Sequence, residues 1–195
     1  MYKQLEEQYL KLLGAENIIR IIEESVASYN GFIDKAKEYG YESVIGNGRS
    51  IGSIMELEIA NRININGFKF KQGKEASNDK DFECISYGHR FNKKFTSIIG
   101  DIYNPHNYGI ELKCSSGYRP VGNRGFAVSD NKQKSKNSFY LCITNIKKDK
   151  DYHISSYKIW FIYVEQRDWL PCREGGGSSC SIMHDVWNDR VIQLK

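Results

Sequence analysis

The order of patterns along the chain predicts an α/β (α+β) domain of three layers, with a mixed central β-sheet flanked by helices. Helical periodicity occupies the beginning of the 195 residues, and short aromatic or β-branched runs occupy most of the remainder. Helices followed by strands are typical of a mixed sheet covered by helices. One domain is expected, with an N-terminal helical segment (1–48), a core (50–170) and a C-terminal loop and tail (171–195).

Residues 2–42 and a second segment from Ser50 to Ile63 have the apolar spacing of amphipathic helices. Gly14 and Gly31 are expected to break the first segment, because glycine is unfavourable inside a helix. The apolar stripes are expected to face the core, and the N-terminal ones are also a candidate dimer interface. They consist of Leu5, Tyr9, Leu12 and Leu13; of Ile18, Ile22, Val26, Tyr29, Ile33 and Ala36; and of Ile51, Met55, Ile59 and Ile63.

Four runs from residue 80 onward have the composition of β-strands and lie between polar segments. Asn104–Asn107 is a turn signal between two of them. Gly175–Gly177 indicates a flexible loop, and Asp185–Leu194 is expected to form a last strand or helix. The four predicted strands are Lys80–Ser86, Tyr108–Cys114, Ser138–Asn145 and Lys158–Val164.

Composition argues against several classes of protein. No apolar run approaches the roughly 20 residues needed to cross a bilayer. The acidic, helix-patterned N-terminus is unlike a signal peptide, so a cytoplasmic location without membrane association is expected.

Cys172, Cys180 and His184 lack a C-x-x-C anchor, so structural zinc is not expected. Cys114 has an apolar strand position and is expected to be a core residue rather than a nucleophile.

The net charge of +4 is unevenly distributed along the chain. From Lys113 to Lys150 there are nine Lys or Arg residues and two Asp residues. Such a segment is often an ordinary solvated surface, but here it begins at a candidate catalytic lysine. A polyanionic substrate is therefore expected.

One predicted strand carries the strongest chemical signal in the chain. Successive side chains of a strand point to opposite faces, so Glu111 and Lys113 share one face. Ile110 and Leu112 point to the other face, toward the core. A carboxylate beside an ammonium suits metal-assisted cleavage of a phosphodiester, because the carboxylate can hold a divalent ion and the lysine can stabilise developing negative charge.

The motifs around this strand follow a recognisable order between residues 50 and 170. They are Gly52–Glu56 on a helix, Lys80–Cys84 on a strand, Gly109–Ser116, Gly122–Phe126, and the strand Phe139–Ile143. In this order they resemble type II restriction endonucleases of the PD-(D/E)xK superfamily. The resemblance implies a restriction-endonuclease-like core and a Mg²⁺-dependent endonuclease that hydrolyses double-stranded DNA at a short specific sequence.

The resemblance also implies the roles of individual residues. Asp81 and Glu111 match the two acidic positions that hold Mg²⁺, and Lys113 matches the catalytic lysine. Glu56 matches a helix glutamate that supports the metal site in many members. Two carboxylates and a substrate phosphate suit the oxygen coordination of Mg²⁺.

The first acidic position has an alternative. Lys80 stands where the motif has proline, and 29 residues separate Asp81 from Glu111. Asp101, which nine residues separate from Glu111, is therefore a second candidate. Asp81 is preferred because its neighbours have strand character, whereas Asp101 lies beside a glycine and a turn.

The resemblance implies partners as well. Double-stranded DNA is the substrate, a homodimer would cut both strands, and a cognate DNA methyltransferase would protect host DNA. A heterodimer subunit that alone nicks one strand is the variant of this hypothesis. Polar and basic residues after the catalytic strand suit base edges and phosphates. They are Arg119, Asn123, Arg124, Lys132, Gln133, Lys134 and Lys136.

Two other functions remain open on the sequence. One is a structure-selective DNA repair or junction nuclease of the same fold, which would prefer branched over linear duplex. The other is a non-catalytic basic DNA-binding protein, in which Glu111 and Lys113 are ordinary surface charges. The second alternative predicts salt-sensitive DNA binding without any metal-dependent product.

Overall fold

A computed structural model describes residues 1–41, 45, 48–73, 80–89, 91–117, 127–129, 137–170 and 179–195. Within these residues, five α-helices flank a six-stranded mixed sheet, and two further strands form a separate small sheet. The predicted α+β fold class is therefore confirmed. The helices are α1 (Tyr2–Leu13), α2 (Ala15–Glu38), α3 (Gly48–Ala60), α4 (Thr96–Ile99) and α5 (His184–Arg190). The strands are β1 (Lys69–Gln72), β2 (Phe82–Ser86), β3 (Ile110–Cys114), β4 (Ala127–Ser129), β5 (Ser138–Lys148), β6 (Ile154–Val164), β7 (Ser179–Ser181) and β8 (Ile192–Gln193).

Helices α1 and α2 meet at Gly14, as the sequence predicts. Gly14 has a left-handed backbone with a φ of 81°. A Cβ atom at this position would lie 2.6 Å from Asn17 Nδ2 and 2.8 Å from Asn66 Nδ2. Both the backbone conformation and the available space therefore favour glycine at this junction.

The second predicted break, at Gly31, is wrong. Helix α2 continues through Gly31, and Val26, Tyr29 and Ile33 are buried on either side of it. A glycine inside a helix costs about 1 kcal/mol relative to alanine. The continuous packing of the buried face outweighs this cost.

The predicted apolar stripes of α1, α2 and α3 lie in the core of the chain itself. Tyr9 of α1, for example, is fully buried, and its ring packs against Phe139 at a centroid distance of 4.2 Å. Because the sheet and the neighbouring helices cover these stripes, they are not available to a second copy of the chain. The predicted second helix is α3, and it ends at Ala60 rather than at Ile63.

The large sheet has the strand order β1-β2-β3-β5-β6-β8. Strands β3 and β5 are parallel, and the other neighbours are antiparallel. All four predicted strands are present with shifted bounds. Strand β5 extends to Lys148 and β6 begins at Ile154, because these two residues pair across a hairpin. The charged strand β1 was not predicted from the sequence, and short charged strands are typical of sheet edges.

The chain stays attached to β5 after β3 ends. The Ser115 N–H donates to Ile143 O at 2.9 Å, and the Asn145 N–H donates to Gly117 O at 2.9 Å. Asn145 has a φ of 53° and lies where the β5–β6 register shifts, which is typical of a β-bulge. These contacts fix the carboxyl end of the strand that carries Glu111 and Lys113.

The two faces of the sheet bury different clusters, which gives the predicted three layers. One face packs against α1, α2 and α3 and forms the main core. The opposite face packs against α5 and the segment after β6. Its buried cluster consists of Tyr140, Cys142, Ile162, Val164, Trp169, Ile182 and Trp187.

The C-terminal segment contains both elements that the sequence left open, since helix α5 is followed by the short strand β8. Gly175–Gly177 and Cys172 lie outside the described residues. Among the described helices, none combines the length and the apolar composition that a membrane span requires.

Candidate active site

Strand β3 places Glu111 and Lys113 on the face opposite the main core. Their neighbours Ile110 and Leu112 are buried in the main core, as alternation along a strand requires. The Glu111 side chain is only 1% exposed, and the Lys113 side chain is 18% exposed. The two charged groups therefore lie in a largely desolvated site that opens on the lysine side.

Asp81 joins this pair from the residue that precedes β2. Among the described residues, β2 and β3 share one register pair, Phe82 with Ile110. Next to this pair, a side chain replaces a backbone acceptor. Asp81 Oδ2 accepts a hydrogen bond from the Leu112 N–H at 2.8 Å. The carboxylate is thus fixed beside β3 where the two strands stop pairing.

Lys113 is the centre of the cluster. Its Nζ lies 3.6 Å from Asp81 Oδ2 and 3.4 Å from Glu111 Oε2, and it donates to Leu112 O at 2.9 Å. Burial alone would lower the pKa of Lys113, but the carboxylates of Asp81 and Glu111 outweigh this effect and raise its pKa. The side chain is therefore an ammonium that two carboxylates share.

Asp101, the alternative first acidic residue, lies elsewhere. It is exposed, and its Oδ1 accepts a hydrogen bond from the Tyr103 N–H at 2.9 Å within a turn. The backbone oxygen of Asp101 accepts from Asn107 Nδ2 at 2.8 Å. The structure thus brings Asp81, and not Asp101, to Glu111 and Lys113.

Glu56 lies on α3, the helix that contacts β3. Its Oε1 accepts a hydrogen bond from Gln72 Nε2 of β1 at 3.3 Å. Its charge also acts on the pKa of Cys114, which follows Lys113 and packs toward the helices. Lys113 itself forms ion pairs with Asp81 and Glu111.

The cysteines beside the site, Cys114 and Cys142, are free thiols. Burial raises the pKa of Cys114 to about 12, although the nearby Lys113 lowers it. Burial likewise raises the pKa of Cys142 well above its usual range. A thiolate nucleophile is therefore disfavoured at both positions.

The predicted DNA-binding residues all lie outside the described residues. They are Arg119, Asn123, Arg124, Lys132, Gln133, Lys134 and Lys136. The sequence analysis also overlooked two neighbours of the site on β5. Tyr140 and Cys142 are the register partners of Glu111 and Lys113. The alternation of the predicted strand 138–145 puts both on one face, but its register against β3 is set by tertiary structure.

The donor set of the site suits a hard divalent cation. Asp81 and Glu111 offer carboxylate oxygens that already converge on one positive charge. Within the described part of the chain, no group of three or more His, Cys, Asp or Glu residues could hold a metal ion. Two carboxylates fit Mg²⁺ nonetheless, because this ion usually keeps several waters and binds substrate phosphate.

The fold and a comparison with known families together define the class of protein. The six-stranded mixed sheet flanked by helices is consistent with a restriction-endonuclease-like core. The chain belongs to the ScaI restriction endonuclease family, whose model matches residues 85–195. It is accordingly a type II site-specific endodeoxyribonuclease, as the sequence predicts. The matched region includes Glu111 and Lys113, whereas Asp81 and Glu56 precede it.

No curated protein and no solved structure matched the chain. Restriction endonucleases in general use a divalent metal ion and act on DNA.

Proposed function

We propose that this endonuclease is a member of the PD-(D/E)xK superfamily that cleaves double-stranded DNA with Mg²⁺ held by Asp81 and Glu111. The observation that carries the proposal is the convergence of these two carboxylates on the ammonium of Lys113, at 3.6 and 3.4 Å. Three charged groups seldom converge in a desolvated site unless each has an ion-pair partner or a functional role. Glu111 and Lys113 also lie inside the matched family region.

Asp81 and Glu111 would present carboxylate oxygens to one cation. When bound, Mg²⁺ would neutralise charge on the scissile phosphate and lower the pKa of a bound water. The hydrogen bond from Leu112 to Asp81 holds the first carboxylate in place before any ion arrives. Burial of Glu111 limits the motion of the second carboxylate. Both groups are therefore preorganised for one task.

Lys113 would supply fixed positive charge to the reaction. During hydrolysis, an oxygen of water bonds to phosphorus while one ester P–O bond breaks, and negative charge grows on the phosphoryl oxygens. The Lys113 ammonium is anchored to Leu112 O at 2.9 Å, so it can face that charge without reorganising. The Lys113 side chain is 18% exposed, which leaves room for a phosphate to reach it.

Glu56 would support the site indirectly, since it accepts a hydrogen bond from Gln72 and its charge acts on the pKa of Cys114 at the end of β3. The basic and amide side chains between 119 and 136 remain the proposed DNA contacts on chemical grounds. The described part of the chain holds one such cluster, so cleavage of both strands would call for a homodimer. A cognate methyltransferase as protective partner, and a cytoplasmic location, complete the proposal.

Incubation of the purified protein with unmethylated plasmid and phage DNA tests this function. Parallel reactions contain Mg²⁺ or EDTA and are resolved on a gel. Discrete bands with Mg²⁺ alone are expected, and sequencing of their ends gives the site. A product nicked in one strand would indicate the heterodimer subunit. Equal cleavage in EDTA would contradict the metal site.

A further inference from the structure

Gly109, the residue before β3, lies against the start of β2. A Cβ atom at Gly109 would overlap Lys80 Cδ, and it would lie 3.1 Å from Phe82 O and 3.3 Å from Lys80 Cβ. The backbone of Gly109 has an ordinary extended conformation. Glycine is therefore favoured here by the close approach of another segment and not by an unusual backbone angle.

The side chain of Lys80 completes this contact. Its stem occupies the space that a Cβ atom of Gly109 would need. Its Nζ donates a hydrogen bond at 2.9 Å to His106 O, in the short helical turn Pro105–Tyr108 that leads into β3. Lys80 thus ties the chain before Asp81 to the chain before β3. This is the position at which the sequence departs from the family motif, which has proline there.

The segment before β3 is anchored to the rest of the molecule. Tyr9 Oη donates to Tyr108 O, and Ser138 Oγ donates to Gly109 O at 3.3 Å. All five residues of β3 pair with β5. Among the described residues, β2 and β3 share a single register pair. A side chain added at Gly109 would therefore displace β2 rather than β3.

Asp81 would move with β2, because it lies between Lys80 and Phe82. Its Oδ2 accepts from the Leu112 N–H at 2.8 Å, so this bond depends on the spacing of the two strands. N–H···O bonds span only about 2.7–3.2 Å. A shift of β2 by a few tenths of an ångström would weaken the bond and move the carboxylate relative to Lys113, whose Nζ lies 3.6 Å from it.

We propose that Lys80 and Gly109 are positioning residues, which set the spacing of β2 and β3 and so hold the Asp81 carboxylate on Leu112. The inference rests on the proposed function, in which Asp81 holds the metal ion. Lys80 and Gly109 touch neither metal nor reacting atoms in this role, and both act through Asp81. A displacement of about 1 Å at a catalytic group can cost about 100-fold in rate, so a smaller shift of Asp81 should also slow cleavage.

Hydrogen exchange of the Leu112 amide, followed by NMR, reports the position of Asp81 without metal or cleavage. Gly109→Ala and Lys80→Ala should each speed this exchange about 10-fold, which corresponds to the net contribution of one hydrogen bond. Asp81→Ala removes the acceptor and gives the limit of the effect. Lys80→Arg keeps a long stem and a donor for His106, so it should retain the protection of Leu112.

Two variants are matched controls. Gly88→Ala also adds a Cβ atom beside β2, but the nearest atoms would lie 3.9 Å away. Lys94→Ala also removes a lysine with a long-range hydrogen bond, here to a glutamine of α1 at 3.0 Å. The Ser115 N–H, which donates to Ile143 O at 2.9 Å, is the internal reference for an intact end of β3. Both controls should leave Leu112 exchange at the wild-type rate.

Single-turnover cleavage and gel shifts of the same variants separate this inference from the proposed function. Faster exchange at Leu112 but not at Ser115, with cleavage about 10-fold slower and DNA affinity retained, supports the positioning role. Unchanged Leu112 exchange in Gly109→Ala and Lys80→Ala overturns that role and leaves the metal site intact. Faster exchange at Leu112 and Ser115 alike overturns it too, since β3 as a whole is then loosened. Faster exchange at Leu112 alone, with wild-type cleavage, overturns the role of Asp81 in the proposed function.

Discussion

The carboxylate of Asp81 accepts a hydrogen bond from the backbone N–H of Leu112 at 2.8 Å, across the point where β2 and β3 stop pairing. This bond links an acidic residue outside the matched family region to the strand that carries Glu111 and Lys113. It satisfies a backbone donor that would otherwise lose its ladder partner. The same oxygen, Oδ2, lies 3.6 Å from Lys113 Nζ, so the bond holds the carboxylate at the site.

Asp81→Asn separates the charge of this residue from its structural bond. The amide oxygen of asparagine can still accept from Leu112, but it lacks the negative charge that binds Mg²⁺ and pairs with Lys113. We expect the cleavage rate to fall about 100-fold or more, with little change in thermal stability. Single-turnover cleavage of a cognate DNA fragment measures the rate.

Asp101→Asn is the matched control for this change. Asp101 is exposed, and an asparagine can keep its turn bond to Tyr103. Its cleavage rate should equal that of the wild type. A result in which Asp101→Asn loses cleavage and Asp81→Asn keeps it would reverse the assignment of the first acidic residue.

Glu6 on α1 makes folding stability depend on pH. It is completely buried, with Oε1 accepting from the Tyr163 N–H at 2.8 Å and lying 4.0 Å from Arg190 Nε. Burial raises the pKa of Glu6 from 4.5 to about 7. The hydrogen bond from Tyr163 and the charges of Arg190 and Lys3 oppose this rise. The charge of Glu7 adds to it. In the unfolded chain Glu6 loses its proton at a lower pH than in the folded protein. Its contribution to folding stability is therefore fully present below pH 4.5 and is lost as the pH rises through about 7.

Glu6→Gln should remove this pH dependence. The amide cannot ionise, so the variant should gain about 1–3 kcal/mol relative to wild type between pH 5 and pH 8. Arg190 keeps an anionic partner in the variant, because its Nη1 lies 3.0 Å from Asp168 Oδ2. Urea unfolding of both proteins at the two pH values gives the comparison. A stability difference that does not change with pH would contradict the raised pKa.

Two glycines at the N-terminal helices should respond oppositely to alanine. Gly31 lies inside α2, where an added Cβ would meet no atom within 4 Å, so Gly31→Ala should stabilise the protein by about 1 kcal/mol. Gly14→Ala should destabilise it by about 1–2 kcal/mol, because φ is 81° and Asn17 lies too close. Denaturant melts of both variants provide the measurement. Changes of the same sign would contradict the assigned conformations.

Helices and buried strands could be predicted because their signals are local. The stripes of α1, α2 and α3 and the strand cores repeat at spacings that the sequence displays directly. The prediction of a break at Gly31 was wrong because it considered only the low helix propensity of glycine. It left out the buried residues that pack on both sides of Gly31. Strand β1 was not predicted because only one of its side chains, Phe70, is buried, so Lys69–Gln72 lacks an alternating apolar pattern. The strand depends instead on pairing with β2.

The candidate site was predictable to the extent that it lies on one strand. Alternation alone places Glu111 and Lys113 on one face. The choice between Asp81 and Asp101 and the position of Tyr140 depend instead on how distant strands align. That register is set by the packing of the whole sheet, and no local pattern around Tyr140 encodes it.

The most direct test of the central claim compares Lys113→Met and Glu111→Gln with Lys71→Met. Lys71 is an exposed β1 lysine whose Nζ lies 2.6 Å from Glu83 Oε2, outside the candidate site. Cleavage with Mg²⁺ and DNA affinity by gel shift are measured for each. The proposed site predicts a cleavage loss of about 100-fold or more in the two site variants, with DNA affinity retained and Lys71→Met fully active. Wild-type cleavage by both site variants would contradict the assignment of this cluster as the catalytic centre.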